Sequence, residues 1–229
     1  MSHLLRVSLP DVPGSLGAVA TAIGVAGANI LAIEVVEHQP GGRAVDDVFV
    51  ELLPGVMPDM VVSAVQRLDE VTVLWVSRYP TAGNLQLDLE AIEEISRNPG
   101  EAIVTLVRVV PRAFRADWAM VVVRRGSAVE TVAVSEGAPE LFEPPEHWFG
   151  LVKPARLDGQ PSWDGWQSAV LAGAPVGSAR RVVVIGRHGG PDVLASELAR
   201  LGHLATLTAS MEGPQAADDL PAKTVSRQT

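Results

Sequence analysis

The segment of the chain best suited to hold a small charged ligand is residues 9–16, with the sequence LPDVPGSL. It joins an alternating apolar segment to one with helical periodicity. Gly14 lacks a Cβ, so its backbone can approach a ligand closely. The first turn of the following helix offers unpaired N–H groups and the positive end of the helix dipole, and both suit a carboxylate. Asp11 can either cap that helix or accept a hydrogen bond from a ligand ammonium.

A second polar side chain, Asn29, follows Gly27 at the start of the next strand-like segment. Its amide can donate to a carboxylate and accept from an amine at the same time. We expect Asn29 to lie near the same end of the sheet as residues 9–16. A free amino acid carries a carboxylate and an ammonium side by side, and these two segments offer groups that suit each of them. Together the segments therefore indicate an amino acid site. The same residues also fit an ordinary strand-to-helix turn with caps.

The elements that must position these residues follow from the periodicity of residues 4–77. Apolar residues alternate in four segments and recur at helical spacing in two, which gives the order βαββαβ. The strand segments are 5–9, 29–37, 48–52 and 71–75, and the helical segments are 16–23 and 57–68. This order predicts four antiparallel strands with both helices on one face.

The pattern Asp-x-Pro-Gly-x-Leu at residues 11–16, followed by Ala-Gly-Ala-Asn-Ile at 26–30, resembles an ACT domain. The resemblance covers residues 4–77 and implies a ferredoxin-like fold. It also implies a small regulatory module that binds amino acids at interfaces between paired copies, as a homodimer. Members without a ligand keep only the dimer interface. The ligand contacts that the resemblance implies are Asp11, Val12, Pro13, Gly14, Ser15, Leu16, Asn29 and Ile30.

The second half of the chain predicts helices first, then a strand pair, an irregular middle and a strand followed by a helix. The helical segments begin at 85 and 103, the second ending at Pro111. The strands are 118–123, 128–134 and 181–185, with one or two irregular strands near 151–157. Pro191 is expected to open the last helix. This arrangement is similar to a GAF domain over residues 87–211, which implies a module that binds small molecules or dimerises without chemistry.

No catalytic or metal-binding constellation stands out in the sequence. It lacks the Gly-x-Ser-x-Gly, Walker and Gly-x-Gly-x-x-Gly motifs, and the five histidines are scattered. There is no cysteine. The loop at 188–190 and the arginine pairs at 124–125 and 180–181 fit turns and solvated strand edges, although an arginine pair can also meet an anion. Residues 162–166 carry two tryptophans that could line a pocket or cover a core edge. We therefore expect no catalytic residue, no metal, no cofactor and no enzymatic activity.

Composition narrows the class of protein further. The 229 residues are 47% hydrophobic and carry a net charge of −9, which argues against a nucleic acid partner. No apolar run reaches the length of a membrane span, and the start lacks the features of a signal peptide. We therefore expect a cytoplasmic protein without a membrane partner. Sixteen arginines against two lysines are typical of GC-rich coding and indicate a bacterial source.

The acidic charge is uneven along the chain. Residues 1–77 hold nine acidic and three basic residues. An acidic module favours a neutral or cationic amino acid over aspartate or glutamate.

The sequence thus predicts an α+β chain with an ACT domain at 1–77, a linker at 78–86, a GAF-like domain at 87–211 and a disordered tail at 212–229. The function that this organisation favours is a non-enzymatic regulatory protein that senses a free amino acid. Two alternatives stay open: an enzyme of amino acid metabolism with a regulatory ACT domain, and a ligand-free ACT partner subunit.

Overall fold

The computed structural model describes residues 2–78, 84–140, 145–157 and 169–212. The chain divides into two compact units, at residues 1–83 and 84–229. β4 runs to Arg78 and α3 begins at Asn84, so both ends of the predicted linker lie in regular structure. The predicted tail and the tryptophan-rich segment at 162–166 lie outside the described residues, apart from Glu212.

The first unit is a four-stranded antiparallel sheet with two helices, as the βαββαβ order predicts. The sheet order is β2-β3-β1-β4, so β2 and β4 are the edge strands. The elements are β1 Ser2–Pro10, α1 Ser15–Val25, β2 Ala28–Gln39, β3 Arg43–Leu52, α2 Pro58–Gln66 and β4 Thr72–Arg78. Both β1 and β2 pair antiparallel with β3, so they run in the same direction.

Alternation along β1 and β3 sorts their side chains onto two faces. Leu5, Val7 and Val48 belong to the core that includes Val19 of α1 and Val61 of α2. This cluster buries one face of the sheet against both helices, and its apolar area is the main stabilising term of the unit.

The opposite face of this sheet carries a buried ion pair between β1 and β3. Arg6 and Asp47 are cross-strand partners, and their side chains are 1% and 0% exposed. The guanidinium donates from Nε and Nη2 to the two carboxylate oxygens, at 2.7 and 2.9 Å. The Arg6 guanidinium also lies 6.0 Å from the ring centroid of Trp75 on β4. Because each charge compensates the other, removing one leaves an unpaired buried charge.

The second unit is a five-stranded antiparallel sheet with order β6-β5-β9-β8-β7, so the chain is α+β as predicted. Helix α4 packs against β5, and α5 packs against β8. The elements are α3 Asn84–Arg97, α4 Ala102–Phe114, β5 Trp118–Arg125, β6 Ala128–Val134, β7 Ala155–Leu157, β8 Ala169–Pro175, β9 Arg181–His188 and α5 Ala195–Glu212. A further apolar cluster joins the buried rings of Trp118 and Trp148 to β7, β8 and β9.

Several predicted boundaries differ from the structure. β3 begins at Arg43, five residues before the predicted strand, because its early positions are buried on both faces and carry no simple alternation. Helix α4 passes through Pro111, since the lost N–H bond falls in its last turn. Helix α5 begins at Ala195, four residues after Pro191, and β9 runs to His188 through part of the predicted turn.

Glycine is required at Gly186 by a close approach within the second sheet. Gly186 is the cross-strand partner of Trp118, and a Cβ built on it would lie 2.1 Å from the indole ring. The ring therefore packs directly over the β9 backbone, which no other residue permits without moving the tryptophan.

Helices long and apolar enough to cross a membrane are absent from the described part of the chain.

Replacing Arg6 with Met should lower the free energy of unfolding by about 3–5 kcal/mol, because Asp47 is then buried without its partner. The double variant Arg6→Met/Asp47→Leu should recover most of that loss, since it removes both charges. Urea unfolding of the full chain measures both effects. A double variant as unstable as the single one would contradict this account of the pair.

Replacing Gly186 with Ala should destabilise the second unit by about 1–3 kcal/mol, because the added methyl overlaps the Trp118 ring. The control is Gly17→Ala on α1, where a Cβ meets nothing within 4 Å and helix propensity improves. Urea unfolding should show a loss for the first variant and no loss for the second.

Candidate functional site

The turn between β1 and α1 presents an open helix N-terminus. Gly14 is the N-cap of α1, with φ of 98° in the left-handed region, and no side chain caps the helix. A Cβ at Gly14 would meet nothing within 4 Å, so the backbone there is open to a ligand. Helix geometry leaves the amides of Leu16 and Gly17 without a partner inside the helix, because the first intrahelical bond runs from the Ala18 amide to the Gly14 carbonyl. These amides suit a carboxylate.

Asp11 is held at the end of the β2–β3 hairpin and does not occupy the N-cap. Its amide donates to the Gly42 carbonyl at 2.8 Å, and its Oδ2 lies 3.0 Å from Nδ1 of His38. The Asp11 side chain is half exposed, so it is available to a ligand ammonium. Sequence reasoning missed His38, because its position beside Asp11 depends on the hairpin register.

The remaining residues of the predicted loop divide by exposure. Val12 and Pro13 are exposed and Ser15 is half-buried, so they can contact a ligand. Leu16 packs against the core of the first unit, and so does Ile30. These two half-buried side chains therefore pack partly into the core and offer a ligand only part of their surface.

Asn29 lies at the opposite end of the sheet from Asp11, which corrects the expectation that the two are near each other. Asn29 pairs with Glu51, and Glu51 pairs with Ser2 at the start of β1. The loop follows Pro10 at the other end of that strand. Nine residues of strand, at about 3.4 Å each, separate the two by about 30 Å. Helix α1 returns the chain to the starting end of β1 before β2 begins, which is the physical reason for the separation.

Gly27, two residues before Asn29, is required by a close approach and a positive φ. It has φ of 89°, and a Cβ built there would lie 2.8 Å from Cγ2 of Val56. Its carbonyl accepts a hydrogen bond from the Leu53 amide at 3.1 Å. This glycine therefore fixes the entry into β2, which positions Asn29.

Asp46 of β3 is a buried carboxylate towards the end of the sheet that carries the Asp11–Leu16 loop, and sequence reasoning did not name it as a site residue. It is 2% exposed, and no described group hydrogen-bonds its Oδ1. Burial raises the pKa of Asp46; the charges of Asp11 and Asp47 raise it further, and His38 lowers it. The only sequence signal was the pair of acids at 46–47, which the structure divides between the two faces of the sheet.

Two polar groups of the second unit that the sequence singled out are engaged in structural contacts. Arg181, which the sequence placed on a solvated edge, is 3% exposed, lies 2.7 Å from Glu212 and donates to the Val176 carbonyl. The amide of His188 donates to Asp117 at 2.6 Å, so the 188–190 loop is anchored as a turn. Burial raises the pKa of Glu212, while Arg181 lowers it.

A groove of about 670 Å³ in the second unit lies between α4 and the residues that follow β6, with Val104, Val107 and Val134 among its lining. Arg108 at its rim is paired with Glu94 at 2.7 Å, and Asp117 holds the His188 amide. Within the described residues, no group of three His, Asp or Glu side chains is placed to hold a metal ion.

The chain is similar to two groups of known proteins. Its fold is similar to the GAF domain of an Acinetobacter phosphoenolpyruvate-protein phosphotransferase, at 15% identity over 56% of this chain and 91% of that one, with a TM-score of 0.45. It is likewise similar to the GAF domain of a Coxiella burnetii phosphoenolpyruvate-protein phosphotransferase, at 15% identity over 57% and 94%, with a TM-score of 0.44. No curated protein matches the sequence.

The family model of the ACT domain matches residues 3–70, which confirms the resemblance found in the loop and in the βαββαβ order. ACT domains bind small-molecule ligands and commonly dimerise, which suggests a regulatory, ligand-sensing role for this unit. The first unit of the chain is an ACT domain.

Proposed function

We propose that this chain is a non-enzymatic regulatory protein that binds a free amino acid through its ACT domain, as a homodimer. Each site combines the Asp11–Leu16 loop of one copy with Asn29 of the other. The observation that carries the proposal is the separation of these two segments to opposite ends of one sheet. One copy cannot bring both to the same small ligand.

Strand β2 is the edge through which two copies can join. It is an outermost strand of the sheet, and its residues Leu31 and Val35 are 47% and 52% exposed. An unpaired edge strand presents free N–H and C=O groups that favour pairing with another strand. Register shifts flank residues 32–35, which pair regularly with β3.

Antiparallel pairing of β2 with its copy would complete the site. If the pairing is centred on Glu34, so that opposed residues lie on the same face of the joint sheet, Asn29 of one copy lies opposite Gln39 of the other. Gln39 follows His38, which contacts Asp11, so Asn29 reaches the end of the sheet that carries the loop. The ligand carboxylate then meets the start of α1, its ammonium meets Asp11, and the Asn29 amide serves either group. A two-fold axis gives two such sites in each dimer.

The dimer should depend on β2 and not on β4. Leu31→Lys places a charge in the paired edge and should shift the protein towards monomer, because desolvating the ammonium is costly. Val76→Lys, on the other edge strand and 38% exposed, is the matched control and should leave the dimer intact. Sedimentation of both variants at micromolar concentration measures the effect. A wild-type protein that is strictly monomeric under these conditions, both alone and with millimolar amino acids, would refute the proposal.

An amino acid should raise the unfolding temperature of the wild-type protein. A ligand of about nine heavy atoms, at roughly −0.6 kcal/mol per atom, binds with a Kd on the order of 0.1 mM. A thermal-shift and calorimetric screen of the twenty amino acids at millimolar concentration should therefore find it. Gly14→Val and Asn29→Ala should each abolish the shift. Gly126→Val, at another glycine with positive φ (64°) in the second unit, should not.

Mixing the two defective variants tests whether the site is shared. A heterodimer of Gly14→Val with Asn29→Ala has one intact site and one doubly damaged site. Random exchange of subunits should therefore restore about a quarter of the sites. No restoration, despite subunit exchange, would place the site within one copy. The absence of any ligand would favour a ligand-free partner subunit, and turnover of a ligand would favour an enzyme.

A further inference from the structure

Asp46 is a buried acid whose environment is incomplete in a single copy. It lies on β3 between Val7 of β1 and Val35 of β2, on the sheet face that carries the helices. Its Oδ1 has no hydrogen-bond partner among the described residues, although the residue is 2% exposed. A buried carboxylate without a partner costs free energy, and structures normally supply a donor or a cation.

Two charged side chains of the proposed site affect the pKa of Asp46. Asp11 of the loop raises it and His38 of β2 lowers it, and these two side chains contact each other at 3.0 Å. Helix α1, which covers this face, contains no charged residue. This end of the first unit therefore holds Asp11 and Asp46 beside His38, while the Arg43 guanidinium there is bound to the Ser8 hydroxyl and the Glu70 carbonyl.

The neighbouring acid shows what Asp46 lacks. Asp47 points to the other face, where Arg6 donates to both of its oxygens. Arg43 is also engaged away from Asp46, since it donates to the Ser8 hydroxyl and to the Glu70 carbonyl. The sequence thus provides a cation for one of two adjacent acids.

We infer that Asp46 is a specificity-determining residue of the site, which selects amino acids with a cationic side chain over those with an acidic one. This inference rests on the proposed function. The α-carboxylate and the α-ammonium of any amino acid are served by the start of α1 and by Asp11. Asp46 supplies a second negative charge, which attracts a positive charge on the side chain of the ligand.

The test compares ligands of matched shape in calorimetry of the full chain. The pairs are lysine with norleucine, which lacks only the side-chain amine, and glutamine with glutamate. Wild-type protein should bind lysine about tenfold more tightly than norleucine, and glutamine about tenfold more tightly than glutamate. Asp46→Asn should reduce both ratios to about twofold or less. Asp59→Asn removes the same charge from exposed α2, which packs against β4, and should leave the ratios unchanged.

A folding control accompanies the variant. The raised pKa of Asp46 means that its charged form disfavours the folded state, so Asp46→Asn should melt at a higher temperature than wild type at pH 7. The difference should close as the pH falls below the ordinary value of 3.8, where the carboxyl becomes protonated in both states. A variant that melts at a lower temperature at pH 7 would show that Asp46 is already satisfied, which overturns the inference.

The outcomes separate the two proposals. Binding of an amino acid with no preference for lysine, or with a preference that Asp46→Asn leaves unchanged, overturns the role of Asp46 and leaves the proposed function standing. No binding of any of the four ligands or of the other amino acids overturns both.

Discussion

The antiparallel pairing of β1 and β2 with β3 is the constraint on which the candidate site depends. Because β1 and β2 run in the same direction, the loop that ends β1 and the asparagine that begins β2 lie at opposite ends of the sheet. The long β2 strand at the edge connects them: its first residues carry Asn29, and its last carry His38 beside Asp11. A second copy in antiparallel orientation exchanges these ends. The topology that separates the two halves within one chain is therefore the one that would bring them together in the proposed homodimer.

The same alternation explains why adjacent acids have different fates. Asp46 and Asp47 are consecutive on β3, so they point to opposite faces of the sheet. On one face Arg6 stands directly across from Asp47 and neutralises it; on the other, valines flank Asp46 and no described group hydrogen-bonds its Oδ1. A fold that needed only stability would place an apolar residue at this second position, since the desolvation of a carboxylate is unfavourable. The unfavourable term is tolerated at the end of the sheet where the loop, the helix start and the exposed Asp11 also meet.

Much of the fold followed from local patterns, and most of the site did not. The βαββαβ order, the hairpin of β5 and β6 and the final strand and helix are encoded in alternating and helical spacing, which depends on neighbouring residues alone. The left-handed backbone at Gly14 likewise suits the residue type. The positions of His38 and Asp46 depend on the register between strands, which is set by long-range packing. The position of Asn29 could have been predicted from the element order. A helix between two strands that run in the same direction returns the chain to the end of the sheet where the first strand begins. β8 was missed because it lies in a segment rich in glycine and proline.

A site divided between two copies also determines how weak binding can be transmitted. A ligand shifts an equilibrium only by the difference in its affinity for the two states. If one copy offers the helix start and Asp11 while Asn29 comes from the other, the separated copies offer incomplete contacts and the dimer offers complete ones. The binding free energy, about −5 to −6 kcal/mol for an amino acid, then stabilises mainly the dimer, and both sites of the dimer contribute. Under the proposed function, an amino acid with a Kd on the order of 0.1 mM would thereby control pairing of the ACT units over its own concentration range. The regulated quantity would then be the population of dimer.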